Sequence, residues 1–213
     1  MRAGRGRVSA MLAIACGCAA ALAATATAGL VPNPANHPRL VDRPIEGDRY
    51  DEARRCTGNA TPGARALERW LERNVRGESW GIERCERWDR NSVSVHSEGR
   101  AIDWHLDAAV PAQHQAAMRL IRTLLATDRR ENVHALARRM GVQGLIFDCR
   151  AWWSGMDRLG EYTYCYRGNG ELRDGLDRTQ AHRDHVHIEL NRAGARKRTS
   201  FWRSPAARAR AGR

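Results

Sequence analysis

The chain has 213 residues, a formal net charge of +12 and a pI near 10.6. This length suits one domain with extensions and is sufficient for a sizeable hydrophobic core. The basic charge favours anionic partners over cationic ones. After residue 28 no apolar stretch is long enough to cross a bilayer, so no membrane span is expected.

Residues 1–28 have the pattern of a secretory signal peptide. A start rich in arginine is followed by the apolar stretch 11–24 and by the small residues Ala26-Thr27-Ala28. The sequence therefore predicts export, with a destination outside the cell or in the cell envelope.

Removal of such a signal leaves four cysteines, and an exported domain with four cysteines is expected to form two disulfides. Three connectivities are possible. We favour Cys56–Cys85 and Cys149–Cys165, because each pair lies within one local unit of the chain. A structural zinc site on the thiolates is disfavoured, because no pair has CxxC spacing.

Residues 29–48 are rich in proline and asparagine, which indicates a linker or an extended arm before a domain at 49–191. Apolar residues at helical spacing predict helices at Pro62 to Asn74, Pro111 to about Thr127, and Asn132 to Met140. Thr61 is expected to cap the first helix.

Alternating or short apolar stretches predict the strands of the domain. They lie at Trp80 to Trp88, Ser92 to His96, Ala101 to Leu106, Gly144 to Cys149, Glu161 to Tyr166, and His185 to Leu190. Strands and helices do not alternate regularly. The expected fold class is therefore α+β, a small and mainly antiparallel sheet flanked by helices.

The segment 192–213 carries eight basic residues and no acidic one. Such a run is typical of a solvated, mobile tail that binds polyanions, here anionic wall polymers or lipid headgroups. Nucleic acid is not an expected partner, because Phe201 and Trp202 are the only aromatic residues of the segment.

Two short segments contain the residue types of a catalytic zinc site. The first, Ser94 to Asp103, offers His96 and Asp103 as ligands, with Gly99 turning the chain between two strands. The second, Asp184-His185-Val186-His187, offers His187 from a neighbouring strand. Three such ligands leave one coordination position open, which is typical of zinc hydrolases, so the α+β fold is expected to carry a zinc site on its sheet.

The pattern SxHxxGxAxD, followed at a distance by DxxH, resembles zinc D,D-carboxypeptidases and L,D-endopeptidases that cut peptidoglycan stem peptides. Within that group, the chain is most similar to extensin-like and D-alanyl-D-alanine-carboxypeptidase-like catalytic domains, from Ser92 to Leu190. The resemblance implies zinc on His96, Asp103 and His187. It also implies that Asp184 is the general base, where many members of the family have glutamate.

The second segment departs from the family pattern in two ways. Val186 replaces a tryptophan that many relatives have, and Asp184 is one methylene shorter than glutamate. An unbroken strand would also turn Asp184 away from His187 and bring His185 to the same face. Either the strand starts after Asp184, or His185 carries more of the chemistry. We expect Asp184 to be the base and His185 to stabilise the tetrahedral intermediate.

Substrate-binding candidates are Ser94, a fixed position of the first motif, and the cations Arg100 and Arg183. The two arginines could clamp a substrate carboxylate, although most arginines in so basic a chain are solvated surface charges.

Two alternative functions remain open. One is a metal-dependent nuclease, suggested by the basic charge and by the string His182-Arg183-Asp184-His185. The other is a module that binds zinc or the cell wall without turnover.

Overall fold

The computed structural model of the protein describes residues 33–87 and 92–204. The expected signal peptide at 1–28 and the last residues of the expected tail, 205–213, lie outside the described residues. In the described part the fold is α+β, as expected, with one six-stranded antiparallel sheet and helices beside it. No helix in this part is long and apolar enough to span a membrane.

The sheet is built from β1 (Glu78–Gly81), β2 (Ala101–His105), β3 (Val142–Phe147), β4 (Arg150–Trp153), β5 (Gly160–Glu161) and β6 (His185–Leu190). The α-helices are α1 (Pro38–Val41), α2 (Pro62–Asn74), α3 (Pro111–Leu125), α4 (Ala135–Met140), α5 (Arg192–Ala195) and α6 (Ser200–Arg203). Short 3-10 helices span Pro34–Asn36 and Val95–Glu98.

The last strand in the chain lies in the middle of the sheet, whose order is β1-β2-β6-β3-β4-β5. In the pairing of β2 with β6, Asp103 lies opposite His187 and Ala101 lies opposite Glu189. Since side chains alternate between the faces of a strand, His187 and Glu189 share a face with Asp103.

The opposite face of the sheet forms the hydrophobic core with the helices. Trp104 of β2 and Ile188 of β6 are fully buried there, together with residues of α2 and α3 such as Leu71 and Ile121. The sheet thus has an apolar face toward the helices and a face with buried polar groups, which positions the site described below.

The helix predictions are largely confirmed. The helix predicted at Pro62 to Asn74 has the same bounds in the structure, and the Thr61 hydroxyl accepts a hydrogen bond from the Ala64 amide at 3.3 Å. The chain leaves α4 at Gly141 with a φ of +77°, which a glycine adopts without strain.

Several strand predictions are wrong in detail. The segment predicted as a strand at Ser92 to His96 leads instead into the 3-10 helix Val95–Glu98, which the Ser94 side chain caps. The edge strands β1 and β5 are shorter than or displaced from the predicted ones, and β4 is not predicted at all. Edge pairing and local capping depend on tertiary neighbours, which alternation alone does not reveal.

Both predicted extensions fold onto the domain where they are described. Pro34–Asn36 and α1 bury Ala35 and Leu40, so this part of 29–48 is not an extended arm. At the other end, α6 buries Phe201 and Trp202, and the Trp202 indole donates to the Met140 carbonyl at 2.8 Å. The expectation of a mobile tail is therefore wrong for residues 192–204.

The predicted disulfide pairing is confirmed. Cys56 bonds to Cys85, and Cys149 bonds to Cys165. The first disulfide joins the segment before α2 to the segment after β1, and the second joins the turn between β3 and β4 to the segment between β5 and β6. Two disulfides fit a secreted protein.

Replacing Phe201 with alanine should lower the free energy of unfolding by about 3–5 kcal/mol, because it empties a fully buried aromatic position. Urea denaturation measures this change. The control is Arg203→Ala in the same helix, an exposed position where the change should stay within about 0.5 kcal/mol. Equal, small effects of both variants would show that α6 is not part of the folded unit.

Candidate metal centre

Three predicted ligands lie together on the polar face of the sheet. His96 Nε2 lies 3.1 Å from Asp103 Oδ1 and 3.1 Å from His187 Nδ1, and His187 Nδ1 lies 2.9 Å from Asp103 Oδ1. All three side chains are buried. Among the described residues, they are the only group of three or more histidine, cysteine or acidic side chains close enough to share a metal ion.

Two kinds of local structure position these ligands. Asp103 and His187 are fixed by the register of β2 against β6. His96 comes from the 3-10 helix Val95–Glu98, which closes at Gly99 with a φ of +60°. A side chain at Gly99 would also collide with the backbone of Asn59, because the ideal Cβ position lies 2.0 Å from that carbonyl oxygen. Glycine is therefore required at position 99 both for the positive φ and for the close approach of the Asn59 backbone.

The imidazole of His96 is oriented by a backbone carbonyl. Its Nδ1 lies 2.7 Å from the Ile82 oxygen, which can only accept a hydrogen bond, so Nδ1 carries the proton and donates. This tautomer leaves the Nε2 lone pair directed into the cluster, as a metal requires.

The outer oxygen of Asp103 is held by a cation that the sequence analysis does not identify. Arg84 donates from Nη1 to Asp103 Oδ2 at 2.6 Å and also pairs with Glu86. Burial would raise the pKa of Asp103, but the hydrogen bond from His187, together with the close contact to His96, outweighs it and holds the pKa far below its usual range. Asp103 is therefore an anionic ligand at any ordinary pH.

The imidazole of His187 is oriented by Glu189, the next residue on the same face of β6. His187 Nε2 donates to Glu189 Oε1 at 3.1 Å, and the other carboxylate oxygen accepts from the Tyr50 hydroxyl at 2.8 Å. Gly144 of β3 makes room for this carboxylate, since a Cβ there would lie 2.9 Å from Glu189 Oε2. A carboxylate behind a ligating histidine is a frequent support of metal sites.

Next to the cluster, Asp184 and His185 form a hydrogen-bonded pair. His185 Nδ1 donates to Asp184 Oδ1 at 2.7 Å, and the second oxygen of Asp184 accepts from the Thr179 hydroxyl at 2.6 Å. His185 Nε2 lies 3.4 Å from Asp103 Oδ1, is buried and has no hydrogen-bond partner among the described residues. It therefore directs a free lone pair toward the cluster.

Strand β6 starts at His185, so Asp184 lies outside the regular strand. The structure therefore agrees with the first alternative, in which the strand starts after Asp184. The Asp184 carboxylate is nevertheless engaged, because both of its oxygens accept hydrogen bonds from other side chains.

The predicted substrate-binding residues are not brought together. Ser94 is buried and caps the 3-10 helix, and buried Arg100 donates to Glu98 and to the carbonyls of Leu190 and Asp51. Neither is available to a substrate. Arg183 is half-buried, 3.5 Å from Asp148 in an ion pair, and stays a candidate.

Two aromatic groups complete the surroundings of the cluster. Trp80 stacks on His105 with ring centroids 4.3 Å apart, lies 5.8 Å from the ring of His185, and is 46% exposed. The ring of His182 lies 4.7 Å from that of His185 and 5.4 Å from that of His187. Burial, reinforced by these two imidazoles, lowers the pKa of His182 to about 2, so the ring is neutral.

Some residues missed by the sequence analysis leave a signal in the sequence, and others do not. Glu189 follows His187 at strand spacing and could have been found from alternation alone. No local pattern marks the other three residues, which are Arg84, Trp80 and Tyr50. Distant parts of the chain set the positions of the segments that carry them.

Comparison of the chain with protein-family models, with curated proteins and with solved structures finds no match. The geometry of the cluster is therefore the basis for a functional assignment.

Metal binding should release about one proton at pH 7. Burial alone would lower the pKa of His187, but hydrogen bonds to Asp103 and Glu189 raise it to about 9 in the metal-free protein. Below that pH, a metal must displace the proton on Nδ1, so affinity should rise with pH up to about 9. Calorimetric titration with Zn²⁺ in buffers of different ionisation enthalpy measures the release. Binding without a proton change at pH 7 would contradict this assignment.

Replacing Glu189 with glutamine should weaken metal binding about 10- to 100-fold, because it removes the negative charge behind His187 while keeping its shape. Competition with a chelator of known affinity measures the change. Glu161→Gln is the matched control, since Glu161 is exposed on the edge strand β5. Unchanged affinity in both variants would show that Glu189 does not support the ligand.

Proposed function

We propose that the protein is a zinc-dependent peptidase that hydrolyses peptide bonds in peptidoglycan stem peptides, as a carboxypeptidase or an endopeptidase. The observation that carries this proposal is the unpartnered Nε2 of His185, which is directed at a cluster of three metal-binding side chains. The motif resemblance supplies the substrate class.

The donor set fits zinc. Zinc accepts imidazole nitrogen and carboxylate oxygen at about 2.0–2.2 Å, and tetrahedral geometry then separates ligand atoms by about 3.3–3.5 Å. The separations of 2.9–3.1 Å between the three ligand atoms need to widen by only a few tenths of an ångström. When bound, zinc would supply polarisation of the scissile carbonyl and acidification of the attacking water.

His185 is the better placed proton acceptor. Burial lowers its pKa despite the nearby carboxylates of Asp103 and Asp184, which keeps the imidazole neutral at neutral pH. Asp184 holds the Nδ1 proton, so Nε2 is free to accept a proton from water and to return it to the leaving amine. We therefore assign the base to His185 and a positioning role to Asp184, whereas the sequence predicts Asp184 as the base and His185 as stabiliser of the tetrahedral intermediate.

Arg84 supplies a cation beside the cluster, which the buried Arg100 does not. Its guanidinium bonds to Asp103, yet 42% of the side chain is exposed. A cation so placed can stabilise negative charge that develops on a substrate oxygen. Trp80, exposed near His185, would form an apolar surface beside the cluster.

Secretion agrees with this substrate. The two disulfides fit an oxidising compartment, and residues 1–28 have the pattern of an export signal. Stem peptides are outside the cytoplasm, where such a protein would meet them.

Incubation of the zinc-loaded protein with muropeptides should yield products with a new amine, and mass spectrometry of these products would identify the bond that is cut. His185→Ala should reduce turnover by about 10²- to 10⁴-fold and retain zinc, because it removes the base but no ligand. His96→Ala should lose both zinc and activity. His37→Ala, outside the cluster, is the control and should keep both.

Three outcomes would change the assignment. Zinc binding without any product would favour a non-catalytic wall-binding or zinc-binding module. Degradation of DNA with magnesium would favour the nuclease. Loss of turnover in Asp184→Asn but not in His185→Ala would return the role of base to Asp184.

A further inference from the structure

A second feature, distinct from the metal cluster, is an open groove of about 640 Å³ between the segment before α2 and helix α5. Its lining includes five arginines and a single acidic residue. The arginines are Arg54, Arg55, Arg100, Arg192 and Arg196, and the acid is Glu98.

The acid is already engaged by protein groups. Glu98 accepts hydrogen bonds from Arg100 Nε at 2.8 Å and from the Arg54 amide at 2.9 Å, and Arg192 lies 3.5 Å away. Glu98 therefore neutralises part of the charge of Arg100 and Arg192 and fixes both side chains at the base of the groove.

The other three guanidiniums lack such partners. Arg54, Arg55 and Arg196 are exposed, and their side chains form no hydrogen bond or ion pair with the described residues. The groove therefore has an excess of positive charge that the described protein does not compensate.

The walls of the groove are held in place by covalent and close backbone contacts. Arg55 precedes Cys56, whose disulfide reaches Cys85. The start of α2 abuts α5 so closely that a Cβ at Gly63 would lie 2.1 Å from the Gly194 carbonyl oxygen. The arginines are thus presented by a rigid frame, which reduces the entropy lost on binding a ligand.

The chemistry of the lining selects among anions. Guanidinium groups form paired hydrogen bonds with phosphate oxygens, and several arginines along an open groove suit a chain of phosphates. No aromatic ring is among the lining residues, so the groove offers no surface on which nucleic-acid bases could stack.

We propose that this groove binds a phosphate-containing polymer without nucleobases, such as an anionic polymer of the cell wall. The binding surface for wall polymers is then a folded groove, formed in part by Arg192 and Arg196, and not a mobile tail. This proposal does not depend on catalysis at the metal cluster.

The test uses the full mature chain and long-chain inorganic polyphosphate as the probe. Affinity is measured by calorimetry between 50 and 200 mM salt. Over this range, rising salt weakens a complex held by phosphate contacts by about one order of magnitude for every few contacts. We expect at least about a tenfold loss of affinity in the triple variant Arg54→Gln, Arg55→Gln, Arg196→Gln. The slope of log affinity against log salt concentration should become shallower by about three units.

The matched control removes the same charge from exposed arginines that do not line the groove, in the variant Arg119→Gln, Arg122→Gln, Arg158→Gln. It should stay within about threefold of the unmodified protein, because only long-range attraction is lost. Equal losses in the two variants would overturn the groove as a site. Binding of a single-stranded oligonucleotide more tightly than polyphosphate of equal charge would overturn the ligand class. Thermal unfolding and zinc content should be unchanged in both variants.

Discussion

The register of β2 against β6 is the constraint on which the site depends. It places Asp103 opposite His187 and Ala101 opposite Glu189, so that ligands and supporting carboxylate share one face. A slip of one residue would turn the core residue Ile188 to this face and bury the polar groups among the helices. The hydrophobic core therefore fixes the metal cluster indirectly, because the same alternation that packs one face aligns the other.

In the buried polar cluster, the outer atoms of the side chains have hydrogen-bond partners, whereas the inner atoms lie close to one another. The atoms of the three ligands that point away from the centre form hydrogen bonds with Ile82, Arg84 and Glu189. The atoms that point toward the centre lie about 3 Å apart, with one proton, on His187, between them. The near atoms of the three ligands converge on one point together with His185 Nε2, which has no hydrogen-bond partner among the described residues. A cation at that point would replace the proton. The arrangement is better explained by metal binding than by structural hydrogen bonding.

The sequence is sufficient to predict that the three candidate ligands come together, but not which residues orient them. His96, Asp103 and His187 could be predicted from residue types and spacing, although the strand assigned to His96 is a 3-10 helix. The hydrogen bond from Arg84 to Asp103 could not be predicted, since the segment of Arg84 is placed by a disulfide and by tertiary contacts that leave no periodic pattern. The fold class followed from the arrangement of strands and helices along the chain. The prediction of a mobile tail fails for residues 192–204 because Phe201 and Trp202 are buried in the core, which the charge of the segment does not reveal.

The same short helix separates the two surfaces that the chain presents. His96 directs its ring into the cluster and Glu98, two residues later, lies at the base of the arginine groove. At about 2 Å of rise per residue, these positions are only about 4 Å apart along the helix axis. A polymer held by the groove would therefore lie beside the short helix that carries His96, a candidate metal ligand. The arginines of the groove are thus placed where they could retain an anionic matrix next to the proposed reaction centre, a proximity that a diffuse tail would not impose.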